Sequence, residues 1–167
     1  MNEKVVIGFS RPKNKIFPLF SWLVRLFQGG TKYSHVYVKW HSSYTNRDII
    51  YEASGTSVRF VGGRLFNERV HITDEFDIEI TKETKRKIVQ FCVDNAGIPY
   101  GCKQILGIAL VKLFKLKRNP FRDGKESQVC AEAVGYILRE KLGFDIQKDL
   151  DTADVKDIYN LVMNINN

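Results

Sequence analysis

Cysteine is scarce and odd in number: Cys92, Cys102 and Cys130 are the only three among 167 residues. They are widely spaced and form no Cys-x-x-Cys pair. Neither a disulfide framework nor a zinc cluster is therefore expected, and at least one thiol stays free. No His-Glu-x-x-His stretch and no phosphate-binding Gly-rich loop occurs, so neither a metal nor any other cofactor is expected. No apolar run approaches the ~20 residues that cross a bilayer. The opening residues Met1-Asn2-Glu3-Lys4-Val5 lack the apolar stretch and small-residue cleavage site of a signal peptide, so a cytoplasmic protein is expected. Repeats, low-complexity tracts and linkers are also missing, which points to a single domain over 1–167.

What is present describes a globular chain. Hydrophobic residues make up 44% and charged residues 27%, which excludes a disordered polymer. The formal net charge is +7, and it is concentrated. Between Lys103 and Lys125 lie seven Lys or Arg against the single acid Asp123. Such a block favours an anionic partner, while a solvated face is the plainer alternative. Nucleic acid is not expected.

Val5–Phe9 reads as a short buried strand. Ile16–Phe27 is apolar at helical spacing and ends at Gly29-Gly30. Tyr33–Trp40 and Arg47–Ala53 read as strands around a polar loop, with further strands at Val58–Val61 and Val70–Ile80. Helices are expected at Thr81–Ala96, Gln104–Leu116, Ser127–Leu142 (capped by Ser127, stopped by Gly143) and Thr152–Met163 (capped by Asp151 or Thr152). Strands precede helices, so the expected class is α+β, an antiparallel sheet packed against helices.

Three residues in this pattern carry chemistry. A hairpin symmetric about Ser43–Tyr44 sets His35 opposite Glu52, on one face, where a carboxylate fixes the imidazole and favours its cation. Cys130 falls in the first turn of a helix, where unpaired N–H groups and the helix dipole stabilise a thiolate. A thiolate beside an imidazolium is the nucleophile of a thiol hydrolase, and the Cys130 N–H is a donor for a developing oxyanion. Tyr33 and Tyr100 are candidates to line a pocket or supply a hydroxyl, with packing at a sheet edge as the alternative. Gln128 is a candidate side-chain donor, or an exposed helix-end residue. Cys92 sits on an apolar helix face and reads as core; Cys102 is a second thiol or structural. The segment Gln104–Leu116, with Lys112, Lys115 and Lys117, reads either as a helix lying in a membrane interface or as a buried helix with snorkelling lysines.

Tyr33-Ser34-His35-Val36-Tyr37-Val38, Tyr51-Glu52-Ala53, Tyr100-Gly101 and Val129-Cys130-Ala131-Glu132, in that order, resemble the circularly permuted papain-like cysteine hydrolases of NlpC type. The likeness is to their YiiX-like branch, found in bacteria and phages, and runs from about Val5 to Asp157. It implies a papain-like α+β fold in permuted order, with Cys130 as nucleophile, His35 as base and Glu52 as its orienter. Tyr37 stands where the family commonly has Gly, Ala131 where it has Ser, and Ala153 where it has Pro. The resemblance implies a cysteine peptidase or amidase acting on a peptide or peptidoglycan-type peptide. A second likeness, to lecithin:retinol acyltransferase-like enzymes, implies instead a lipid ester hydrolase or acyltransferase; the apolar, basic segment 103–118 suits that reading, at an anionic membrane surface. A binding module with a dormant site is the third class. A phage-encoded protein acting in the host cell fits the same resemblance, which says nothing of oligomeric state.

Overall fold

The computed structural model describes residues 3–13, 18–124 and 126–166, with the side chains of 18–20 and 23 outside the description. Among the described residues five strands and six helices follow in order: β1 (Glu3–Pro12), α1 (Pro18–Phe27), β2 (His35–Ser42), β3 (Arg47–Ser54), β4 (Ser57–Gly62), α2 (Gly63–Arg69), β5 (Val70–Ile80), α3 (Lys82–Asp94), α4 (Cys102–Phe114), α5 (Cys130–Glu140) and α6 (Val155–Asn166). Ile16 and Phe17, placed in the first helix by their apolar spacing, lie outside the described residues. The strands form one antiparallel sheet in the order β4-β3-β2-β1-β5. The class is α+β.

β1 lies inside the sheet and is buried on both faces from Val5 to Ser10. That accounts for its near-continuous apolar reading. Val5, Ile7 and Phe9 join Val36, Val38, Tyr51 and Ala53 in a core shared with Ile88 of α3, Val134 and Ile137 of α5, and Ile158 of α6. The other face carries a smaller cluster of Tyr37, Ile50, Val61 and Phe66. Here Gly8 faces Tyr37 across the β1–β2 ladder. A Cβ at Gly8 would lie 2.1 Å from the Tyr37 ring, so the ring fills the space that Gly8 leaves, and its hydroxyl donates to Glu75 at 2.7 Å. Phe66 belongs to α2, a seven-residue helix that the apolar spacing did not reveal. Two turns are too short to show a helical period.

Three expected boundaries are corrected. The β2–β3 ladder pairs Val38 with Tyr51 through Ser42 with Arg47. The hairpin is therefore centred between Tyr44 and Thr45, one residue later than assumed, with Asn46 in the left-handed region (φ 51°). Ser127 does not cap α5. Val129 is the N-cap, and the Ser127 hydroxyl donates to Asp123 at 2.6 Å. Neither Asp151 nor Thr152 caps α6. Asp154 does, accepting from the Asp157 N–H while the Asp157 carboxylate accepts from the Asp154 N–H, both at 2.9 Å, a reciprocal capping box.

α4 is apolar on nearly all sides and is tied down by two buried amides. Gln104 donates to Asp123 and to the Ser127 carbonyl. Asn119 donates to the carbonyls of Gln104 and Asp151 and accepts from the Phe121 N–H. Asn119 fits only because residue 107 is glycine: a Cβ there would lie 1.7 Å from its Oδ1. Gly107→Ala is expected to expel Asn119 and cost about 2–4 kcal/mol. Asn119→Ala added to it should cost little more, because both break one network. Urea melts of the two single variants and the double variant check this.

Candidate active site

His35 opens β2, Glu52 lies near the end of β3, and Cys130 is the first residue of α5. The corrected register makes His35 and Glu52 diagonal neighbours rather than direct opposites. A shift of two positions keeps both on the same face, and their side chains meet: His35 Nε2 is 2.9 Å from Glu52 Oε2. With Nε2 engaged, Nδ1 is the ring nitrogen left for the hydrogen bond between His35 and Cys130. The structure thus joins the three residues in the order Glu52–His35–Cys130.

A fourth member was missed from sequence. Arg59 lies directly opposite Glu52 in the β3–β4 ladder. It donates Nε and a terminal nitrogen to Glu52 Oε1, at 3.0 and 2.8 Å. The signal was available. A two-residue turn at Gly55-Thr56, with Gly55 at φ 71°, is a common hairpin connection and sets this pairing. Each carboxylate oxygen therefore has a cationic partner, and Glu52 is only 4% exposed. Burial alone would raise the Glu52 pKa, but His35 and Arg59 outweigh it and bring it down to about 2.

The sulfur is poised by its surroundings. Burial pushes the Cys130 thiol up. His35 and the backbone N–H groups of Val36 and Ala131 more than reverse this, so the thiol sits below its ordinary value. Ala131 supplies an N–H of the free first turn of α5. The β2–β3 ladder stops at Val38 and Tyr51, so Val36, which faces Phe9 of β1, has no partner in β3. His35 shows the complementary effect: burial lowers its pKa, but Cys130 and Glu52 raise it to about 10. The favoured state is a thiolate–imidazolium pair.

Cys130 lines a cavity of about 200 Å³. α1 contributes Val24 and Phe27, α4 contributes Ile105, Leu106, Ile108 and Ala109, and Ala153 and Val155 approach from the start of α6. Lys112 and Asp154, an ion pair, add polar groups to the wall. Tyr100 is brought there by a short parallel bridge between Tyr100 and Gln128, and its ring lines the cavity beside Cys130. Burial, then the charges of Cys130, Cys102 and Glu52, hold its hydroxyl well above the ordinary range, hence protonated.

The remaining sequence candidates fall elsewhere. Tyr33 is buried in the main core, stacked on Tyr159 with ring centroids 4.6 Å apart, and is not among the cavity residues. Gln128 is fully buried rather than exposed. Its side-chain amide has no hydrogen-bond partner among the described residues, and it too is not among the cavity residues. Cys92 is buried core, its thiol raised by desolvation. Cys102 is exposed and lines the cavity.

No family model matches the chain, and no curated protein matches it. Among solved structures it is similar to the crystal structure of metalloprotein yiiX from Escherichia coli O157:H7, DUF1105. The TM-score is 0.52 at 13% identity, over 87% of this chain and 68% of that one. The likeness is one of fold. Among the described residues no group of three or more His, Cys, Asp or Glu side chains could hold an ion. At Glu52, the Arg59 guanidinium already occupies the carboxylate oxygen that a cation would need. The donor set does not fit a resident metal. Among the described residues no helix is long and apolar enough to cross a membrane.

Proposed function

We propose that the protein is a cysteine hydrolase that cleaves an acyl bond through a thioester on Cys130. The observation that carries this reading is the chain Glu52–His35–Cys130, set at the wall of an apolar cavity. The Cys130 thiolate attacks the carbonyl carbon and forms a C–S bond, while the negative charge moves to the carbonyl oxygen. The Cys130 N–H and the Tyr100 hydroxyl are the donors at hand for that charge. The tetrahedral adduct collapses, and the imidazolium of His35 gives its proton to the departing amine or alcohol. Water then gives a proton to His35 and adds to the thioester, the carboxylic acid leaves, and the thiolate–imidazolium pair returns. Glu52 holds the ring throughout and stabilises its cation whenever it is protonated; Arg59 holds Glu52.

The family likeness read from the sequence, to permuted papain-like enzymes of the YiiX-like branch, is consistent with the fold and favours a peptide-type amide. The cavity favours the other bond class. Its wall beside the sulfur is mostly aliphatic and aromatic, and a peptide would have to give up hydrogen bonds to water against it. A lipid acyl chain loses nothing there and gains burial. We therefore take an acyl lipid ester as the leading substrate class, with a peptidoglycan-type peptide second.

The test is intact-mass spectrometry after brief incubation with phospholipids, short acyl esters and cell-wall peptides. A mass gain equal to an acyl group, mapped to Cys130 and absent in Cys130→Ala, is expected with the lipid series. The same adduct from peptides alone would favour the amide reading. No adduct from any series, with the Cys130 thiol intact, would refute hydrolysis and leave a binding module.

A further inference from the structure

α1 and α4 form two walls of the cavity, and both also carry large apolar side chains on the outside. Trp22 is 49% and Leu26 52% exposed; Leu113 is 65% and Phe114 64% exposed. Trp22 and Leu26 are one turn apart on α1, and Leu106 and Leu113 are two turns apart on α4, so each pair shares a face. Apolar side chains clustered in this way mark a surface that meets something other than water.

Charge says what. Across the sheet, lysines are matched by acids: Lys4 with Asp77, Lys32 with Asp74, Lys39 with Glu75. Around α4 they are not. Lys103, Lys115, Lys117, Arg118 and Arg122 are exposed, and none makes an ion pair with another described residue. The nearby acid Asp123 is turned to Gln104 and Ser127. Free cations bordering exposed apolar side chains complement a layer of anionic headgroups above hydrocarbon.

We propose that α1 and the C-terminal half of α4 dock the protein on an anionic bilayer, with the cavity between them opening toward the lipid so that an acyl chain reaches Cys130. This deepens the hydrolase reading and rests on it for the role of Cys130; the docking itself needs no chemistry. Leu113 and Phe114 enter the apolar layer, and the lysines that follow them lie at the headgroups. Residues 103–118 thus resolve into two parts: Gln104, Gly107, Ile108 and Val111 are buried in the protein, and the outer stripe is left for the membrane.

The test is co-sedimentation of the full chain with vesicles of phosphatidylcholine alone, or mixed with phosphatidylglycerol. Binding to the mixed vesicles only, falling as salt is raised, is expected. Leu113→Ser with Phe114→Ser, and separately Lys115→Glu with Lys117→Glu, should each weaken it at least about tenfold. The side chains changed are exposed, and an unchanged urea midpoint verifies folding. No binding to either vesicle, or binding that both variants retain, overturns the proposal. A dimer that Leu113→Ser with Phe114→Ser dissolves, without vesicle binding, also overturns it and assigns the face to a second copy. Iodoacetamide labelling of Cys130 in the same samples separates the two readings. Slow labelling with intact vesicle binding sinks the catalytic reading alone; fast labelling without binding sinks only the docking face.

Discussion

His35→Ala is expected to return the Cys130 thiol from below its ordinary value to that of a buried thiol. In the wild-type protein His35 is the largest influence opposing burial of the sulfur. Without it only the Val36 and Ala131 N–H groups remain. An unassisted thiol with a pKa near 8.5 is about 3% ionised at pH 7, so iodoacetamide should label the variant more slowly, with loss of ionisation alone accounting for up to about thirtyfold. Burial adds to that loss. The upper limit of the wild-type window is set by His35. Its pKa is raised to about 10, so the imidazolium survives to that pH and the proposed hydrolysis should fall above it. Labelling at Cys130, followed by peptide mass spectrometry from acid to alkaline pH, reads the lower limb directly. A wild-type curve centred on the ordinary thiol value and unmoved by His35→Ala would disprove the pair.

Glu52→Gln carries the second large effect, and Arg59 makes it more than the loss of one hydrogen bond. The neutral amide would leave an imidazolium and a guanidinium with no carboxylate between them. His35 should then give up its proton far below about 10, and turnover should fall by about 10²–10⁴. Stability changes as well. The Glu52 carboxyl is depressed from 4.5 to about 2, so its contribution is complete above 4.5 and disappears as pH falls toward 2. A displacement of that size corresponds to about 3 kcal/mol. Denaturant melts between those pH values should show the decline in wild type and lack it in Glu52→Gln. Arg59→Ala should be harmful alone, yet should recover part of the stability lost in Glu52→Gln, because it removes a cation that no longer has a partner. An acid decline in Glu52→Gln equal to that of wild type would mean that another carboxylate is responsible.

These expectations turn on features with different origins in the sequence. His35 and Glu52 could be placed on one face from a hairpin whose centre was wrong by one residue. Moving the centre by one shifts the pairing by two, and two is the period of a strand. Cys130 could be placed at a helix start even though the cap was misassigned. The apolar run after it and Gly143 before the next segment bound the helix, and the exact cap changes only how far into the first turn the sulfur sits. Elements, faces and the order base–carboxylate–nucleophile are written in short stretches of chain, because alternation, helical spacing and turn residues act locally.

The remainder depended on which elements meet. Tyr33 and Tyr100 look alike in sequence, but one is drawn into the core against Tyr159 and the other is carried to the cavity by its pairing with Gln128. No local pattern distinguishes them. The influence of the Val36 N–H on the sulfur arises where the β2–β3 ladder ends and a helix from almost a hundred residues later arrives. The cavity needs α1 and α4, and α4 is held by Gln104 and Asn119 reaching to loops far along the chain. Periodicity tells a residue which way to face; only the summed packing of distant segments decides what it faces. The chain by itself therefore determined the class of fold and singled out His35, Glu52 and Cys130 as candidates, while the tertiary structure decided that the three meet, and with them the apolar approach to the sulfur and the surface beside it.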